Sequence, residues 1–280
     1  MKSLDTAIKS FELVYKNPKI MLVPLAIIGL SFIFLFAIGL FVSINIINII
    51  FGKLNAIDAL SNLSTSFLVI LALVLLYLAI IFLISPLITG MLISSGIQAL
   101  EGNLSLSKAF KEAKKKYLSL LGVFLITIGI FILVFVVPLI FIMLVGMVSK
   151  LLLSILVILY MLFIIGASIF LVASVFEANT LVFTENKNAV EAVKRSFYIG
   201  RQKIISIIAS QTFLIIMVFG ISLLIEIFGL IFALVDKAMF LPVFSILFFI
   251  FVRIPFYCFT SSASAILPVV FYYNYNLKNL

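Results

Sequence analysis

Three observations predict an all-α, polytopic membrane protein. Hydrophobic residues make up 65% of the 280 and charged residues only 10%, against about 25% charged in soluble domains. Such a chain cannot cover itself with polar surface. Its apolar residues fall into six runs, each long enough for a bilayer span of about 20 residues. Its Lys and Arg residues crowd into every second connection. The composition also excludes whole classes of chemistry. With no His and a single Cys, Cys258, there is no His-based triad, no Cys/His metal site and no internal disulfide.

The elements follow in chain order. Lys2, Lys9, Lys16 and Lys19 precede the first run, Ile20–Phe51. That run exceeds the h-region of a signal peptide, about 7–15 residues, and no A-x-A site closes it, so it is expected to stay as an anchor. The second run is Phe67–Leu100, followed by Lys108, Lys111, Lys114, Lys115 and Lys116. Leu118–Ser149 and Leu151–Phe176 are the third and fourth, followed by Lys187, Lys194, Arg195, Arg201 and Lys203. Ile204–Val235 is the fifth, and the sixth extends from Ala238 to about Tyr275, interrupted by Arg253 and Pro255. A split or re-entrant segment at that interruption is an open alternative. The remaining connections carry one lysine each, Lys53, Lys150 and Lys237. Positive charge marks the cytoplasmic side. The expected location is therefore the cell membrane, with both termini and both basic connections in the cytoplasm.

The three basic segments share one pattern. Leu4, Ala7, Ile8, Phe11 and Tyr15 have the offsets of Leu106, Ala109, Phe110, Ala113 and Tyr117, and of Ala189, Ala192, Val193, Ser196 and Gly200. This spacing places one apolar stripe on a helix with a basic opposite face, the pattern of a helix lying in the membrane interface. Asn188 with Glu191 makes a capping-box start for the third copy. The unit predicted is a basic amphipathic interfacial helix followed by a transmembrane hairpin. It occurs three times, over residues 1–100, 101–184 and 185–280 of a single membrane domain.

The stretch Glu185-Asn186-Lys187-Asn188-Ala189-Val190-Glu191-Ala192-Val193-Lys194-Arg195-Ser196-Phe197 resembles a pattern in one particular membrane domain. That domain is attached to some glycerophosphodiester phosphodiesterases, and similar domains occur in related prokaryotic six-helix membrane proteins. There an acidic-Asn pair ends one span and an Ala-x-x-x-Ser-aromatic basic helix starts the next. Pro268 followed by Phe271-Tyr272-Tyr273-Asn274 is similar to the ending of that group. Asn274 and Asn276 stand where an acidic residue is usual, and Lys187-Asn188 replaces a small-residue turn. The chain contains no phosphodiesterase domain and no His. The resemblance therefore implies the six-helix fold and carries no enzymatic activity with it.

Ionisable residues inside spans are the first candidates for function. At 1.5 Å per residue, Glu226 lies about 34 Å from Lys203, Glu177 about 40 Å from Lys150 and Arg253 about 24 Å from Lys237. These depths place Glu226 at the outer boundary of the bilayer core and Glu177 at the inner one. Arg253 falls within snorkelling reach of the inner headgroups. Among uncharged polar residues, Gln211 and Thr212 in the fifth span and Ser261 and Ser262 in the sixth either line a polar cavity or serve close helix packing. Asn45 and Asn48 are expected to meet water or the outer loop. Pro86, Pro138 and Pro255 predict kinks. Tyr272, Tyr273 and Tyr275 form an interfacial aromatic anchor, and Cys258 is a small buried hydrophobe.

The net charge of +9 comes without any nucleic-acid recognition element. Beside spans, it points to anionic headgroups, which attract each Lys or Arg by about 1 kcal/mol. The expected contact residues are Lys9, Lys16, Lys111, Lys114, Lys115, Lys116, Lys194, Arg195 and Arg201. The leading expectation is a non-enzymatic protein, without cofactor or metal, that organises lipid or a membrane-protein partner at the cytoplasmic face. The rival is a transporter or flippase-like carrier of a lipid or amphipathic solute, requiring a cavity that reaches Gln211 or Ser262.

Overall fold

A computed structural model describes the backbone of residues 2–51, 56–147, 149–239, 242–275 and 277. It describes their side chains except at 41, 44–51, 56–66, 151, 238 and 239. The expectations for Lys53 and Asn276, and for the side chains of Asn45 and Asn48, lie outside the described residues. All described secondary structure is helical, and six stretches are long and apolar enough to cross a membrane. The chain is an integral, multi-pass membrane protein.

The elements are α1 (Lys2–Lys16), a 3-10 turn (Pro18–Met21), α2 (Leu22–Phe51), α3 (Ala56–Leu100), α4 (Leu106–Lys115) and α5 (Tyr117–Phe131). They continue with a π-helical turn (Ile132–Val136), α6 (Val137–Gly146), α7 (Lys150–Val175) and α8 (Ala178–Thr184). The last are α9 (Ala189–Met239), α10 (Val243–Phe248), a second π-helical turn (Phe249–Arg253) and α11 (Ile254–Asn274). Local chemistry sets several boundaries. Ser105 caps α4 and Ser149 caps α7 through their side chains. Asn188 Oδ1 accepts the Glu191 amide at 3.0 Å and starts α9, the first half of the predicted capping box. Gly102 (φ 77°) and Asn186 (φ 51°) take the left-handed conformation in two turns at the basic end.

Each basic segment is helical and each is separated from its span by a break. Asn17 and the 3-10 turn end α1, Lys116 (φ −100°, ψ 8°) ends α4, and Lys203 (φ −118°, ψ 20°) interrupts α9. The sixth run is not split. It continues from α10 to α11 through a π-helical turn, in which the Ile254 amide bonds the Phe249 carbonyl, five residues back. The third run bends in the same way, with the Val137 amide on the Ile132 carbonyl. In both, the residue two past the π turn is a proline, Pro138 or Pro255. Proline has no amide and its ring crowds the carbonyl four residues back, and the wider turn gives that carbonyl room. Tyr160 donates to the Phe135 carbonyl at 2.5 Å, satisfying one acceptor of the first π turn.

The core is lopsided. Fully buried side chains gather toward the basic end in two clusters. One centres on Ile20, Ile93, Ile266 and Leu267 and joins α1, α2, α3 and α11. The other centres on Leu120, Leu181, Ile199 and Phe271 and joins α5, α8, α9 and α11. In the opposite halves of the spans, only Ile142, Asp236 and Phe248 are buried among the described side chains. Apolar helices gain no hydrophobic free energy by associating in hydrocarbon, so these halves present Leu, Ile and Phe to lipid.

The amphipathic stripes agree with the sequence expectation in part: Ala7 and Phe11, Ala109 and Ala113, and Ala192, Val193, Ser196 and Gly200 are buried. On α1 the face against the bundle is Thr6, Ala7, Ser10, Phe11 and Val14, whereas Leu4, Ile8 and Tyr15 are exposed. On α4, Ala109 and Ala113 face inward and Phe110 outward. Small residues let backbones approach closely, and Ala7, Ser10, Ala109 and Ala113 take the protein side, joined on α1 by Phe11 and Val14.

Candidate functional site

Among the described residues, polar chemistry gathers at the basic end and at a charged cavity within the apolar zone. At the basic end, helices are tied by side-chain bonds rather than apolar contact alone. Asn274 Nδ2 donates to Thr6 Oγ1 at 3.0 Å, and Lys9 Nζ donates to Asn274 Oδ1 at 3.3 Å, holding α1 on α11. Ser94 and Gln98 of α3 both donate to the Glu112 carboxylate of α4. Gln98 Oε1 accepts the Ser105 amide at 3.0 Å. Glu185 is a hub: it receives the Tyr272 hydroxyl at 3.3 Å and lies 3.3 Å from Lys187 and 3.8 Å from Arg195.

The basic residues divide by what they touch. Lys116 turns inward, donating to the Val182 carbonyl at 2.5 Å and to Asn186 Oδ1 at 3.0 Å, with its ammonium 5.3 Å from the Phe183 ring centre. It thereby caps the C-terminal end of α8, where free carbonyls favour a cation. Burial and the neighbouring Lys115 charge hold its ammonium below the ordinary lysine range, against an opposing pull from Glu112. Arg195 also turns inward, to Glu185 and to the Leu277 carbonyl at 3.2 Å. Lys9 and Lys16 pair with Asp5 and Glu12 one turn away, at 3.3 and 2.6 Å. Lys111, Lys114, Lys115, Lys194 and Arg201 are exposed and carry no ion pair among the described residues. They form a positive surface around the basic end.

Glu177 is enclosed by protein. It sits in the two-residue break between α7 and α8 with 0% exposure, and neither carboxylate oxygen has a partner. Its amide, released from the helix ladder, donates to Ser196 Oγ at 3.2 Å. The fourth apolar run ends at Phe176, beside the break; what hydropathy does not show is that helix resumes at once as α8. Close helix approach encloses it: a Cβ on Gly200 would lie 2.6 Å from Ser174 Cα and 2.7 Å from the Ala173 carbonyl oxygen.

Glu226 and Arg253, expected near opposite boundaries, form one ion pair at 2.6 Å. Exposed Ile227, Phe228, Leu230, Ile231 and Leu234 extend the apolar surface beyond it, about 13 Å along the helix to Val235. The pair therefore lies within the apolar zone, not at its edge. Arg253 also stacks over the Phe248 ring at 5.8 Å. Gly229 makes room for it, since a Cβ there would lie 3.0 Å from Arg253 Nη2. Beside the pair is a cavity of about 470 Å³ between α2, α9 and the start of α11, walled by Ile28, Val218, Phe249 and Tyr257. A second recess of about 210 Å³ shares Ile28 and Tyr257 with it and includes Ser261.

Gln211 and Ser262 line none of the described cavities. Ser262 is fully buried without a partner. Thr212 borders a separate apolar recess with Ile205 and Phe213. No described cavity brings the four polar residues together. Tyr257 and Gly229, which shape the charged cavity, carry no distinguishing sequence signal. Their role emerges only when α9 and α11 are set side by side. No protein-family model, curated protein or solved structure matches the chain.

Proposed function

We propose that this integral membrane protein gathers anionic lipid headgroups, or an acidic membrane-protein partner, at the cytoplasmic face of the cell membrane. The observation that carries the reading is the division of labour on the three basic helices. Small residues (Ala7, Ala109, Ala113, Ala192, Ser196) anchor them to the bundle. Lys111, Lys114, Lys115, Lys194 and Arg201 are left exposed and unpaired among the described residues. Exposed Leu4, Ile8, Phe110 and Val190 on the same helices supply the apolar contacts of an interfacial helix. Each basic group near an anionic surface contributes about 1 kcal/mol, screened by salt. The reading assigns no catalytic step to the chain.

The test is lipid retention by the purified protein from equimolar phosphatidylglycerol and phosphatidylcholine. Enrichment of the anionic lipid is expected, falling stepwise as Lys111, Lys114, Lys115, Lys194 and Arg201 are changed to Glu. Enrichment unchanged in the fivefold variant, with no protein partner lost from pull-downs, overturns the reading.

A further inference from the structure

We propose that the cavity beside Glu226 and Arg253 binds a zwitterionic lipid whose headgroup joins an ammonium bearing N–H donors to a phosphate, an aminophospholipid. This goes beyond the basic face and uses a different part of the molecule. A guanidinium offers five N–H donors. Arg253 directs Nη2 to Glu226, while its Nε is buried with no acceptor. Hydrocarbon supplies no acceptor, and unpaired polar groups at this depth are costly. The side chains of Arg253 and Glu226 nevertheless stay 40% and 57% exposed, at the mouth of the cavity. Their exposed atoms are open to a second partner entering the cavity.

Charge selects that partner. The pair sums to zero, so an anion drawn to Arg253 is repelled by Glu226, and a cation meets the mirror image. A headgroup with both charges satisfies both: its phosphate accepts from the exposed part of the Arg253 guanidinium, and its ammonium donates to the Glu226 carboxylate. A choline headgroup has the same charges but no N–H for the carboxylate. The space suits the task. A cavity of about 470 Å³ lies in the usual range for small-molecule sites, about 300–1,000 Å³. The adjoining recess runs along α2 past Ile27, Phe32 and Leu35, an apolar path for an acyl chain.

The experiment is native mass spectrometry of the full chain with equimolar phosphatidylethanolamine and phosphatidylcholine of identical chains. One phosphatidylethanolamine per chain is expected, with a preference of about tenfold, the ratio a single charged hydrogen bond supports. Glu226→Gln should bring the preference toward parity. Ser222→Phe, which fills the cavity without touching either charge, should abolish retention while leaving phosphatidylglycerol enrichment at the basic face intact. A second measurement needs no variant: with mono-, di- and trimethylated ethanolamine headgroups, retention should fall with each N–H lost. Equal retention across that series, or a phosphatidylethanolamine preference that survives both substitutions, overturns the proposal.

Discussion

Gly200→Ala should destabilise the protein although alanine is the better helix former. The added Cβ would sit 2.6 Å from Ser174 Cα, 2.7 Å from the Ala173 carbonyl oxygen and 3.0 Å from the Ala173 carbonyl carbon. All three are backbone atoms, so no side chain can swing aside, and α7 must move away from α9. Carbon contacts settle at about 3.5–4.0 Å, so the helices must separate by roughly 1 Å. Forced overpacking of this kind costs about 1–3 kcal/mol. The same movement stretches the Glu177 amide to Ser196 bond from 3.2 Å and leaves a fully buried donor unpaired, at about 1–3 kcal/mol more. Helix propensity returns about 1 kcal/mol. The net loss is about 1–5 kcal/mol, read as a lower unfolding midpoint in detergent. Gly166→Ala on α7 is the control, because nothing lies within 4 Å of its Cβ position, and it should melt at or above the parent. A Gly200→Ala protein as stable as the parent would refute the close α7–α9 approach.

Lys116→Gln should lower stability through loss of the bonds to Val182 and Asn186, and it should also change the pH profile. Because burial and Lys115 hold the Lys116 ammonium below the ordinary lysine range, the unfolded chain binds more protons there at alkaline pH. The penalty is full below the folded-state pKa and is relieved as pH rises through it toward the ordinary lysine value. Thermal unfolding should therefore show an alkaline gain in the parent that the variant lacks, and identical profiles would contradict this. Tyr160→Phe should cost about 1 kcal/mol by removing the donor on the Phe135 carbonyl, measured as a lower midpoint. No change would mean that the π turn needs no such partner.

The fold was largely readable because a bilayer leaves few solutions. Six apolar runs and alternating basic connections were enough to predict an all-α protein with six spans. Finer features depended on contacts that periodicity does not contain. Of the predicted α1 stripe Leu4, Ala7, Ile8, Phe11 and Tyr15, the structure buries Ala7 and Phe11 and exposes the other three. In water an apolar stripe has one destination, the core. At a membrane it has two: Ala7, Ser10, Phe11 and Val14 pack inward, while Leu4, Ile8 and Tyr15 face outward. The end of the fourth run at Phe176 was legible, but the return of helix at Ala178, which encloses Glu177, was not. Depth arithmetic along one helix places Glu177 at the inner boundary and says nothing of its enclosure by neighbouring helices.

The charged cavity shows the same limit more sharply. Counting residues along α9 from Lys203 and along the last run from Lys237 gave two separate depths, for Glu226 and for Arg253. Each was compatible with an interface. The count fails because the apolar stretches are longer than the bilayer core: Ile204 to Val235 alone is about 47 Å of helix, against about 30 Å of hydrocarbon. A residue a core thickness from one end can still have exposed apolar surface beyond it, as Ile227 to Leu234 lie beyond Glu226. Only the pairing of α9 with the bent start of α11 fixes the level of both charges and shows that each neutralises the other. The bend follows from Pro255 and the π turn, and the space for the guanidinium follows from Gly229. A proline, a glycine and two charges on separate helices thus converge on one place. Each has an ordinary explanation alone, and together they build the one cavity among those described that contains an ion pair.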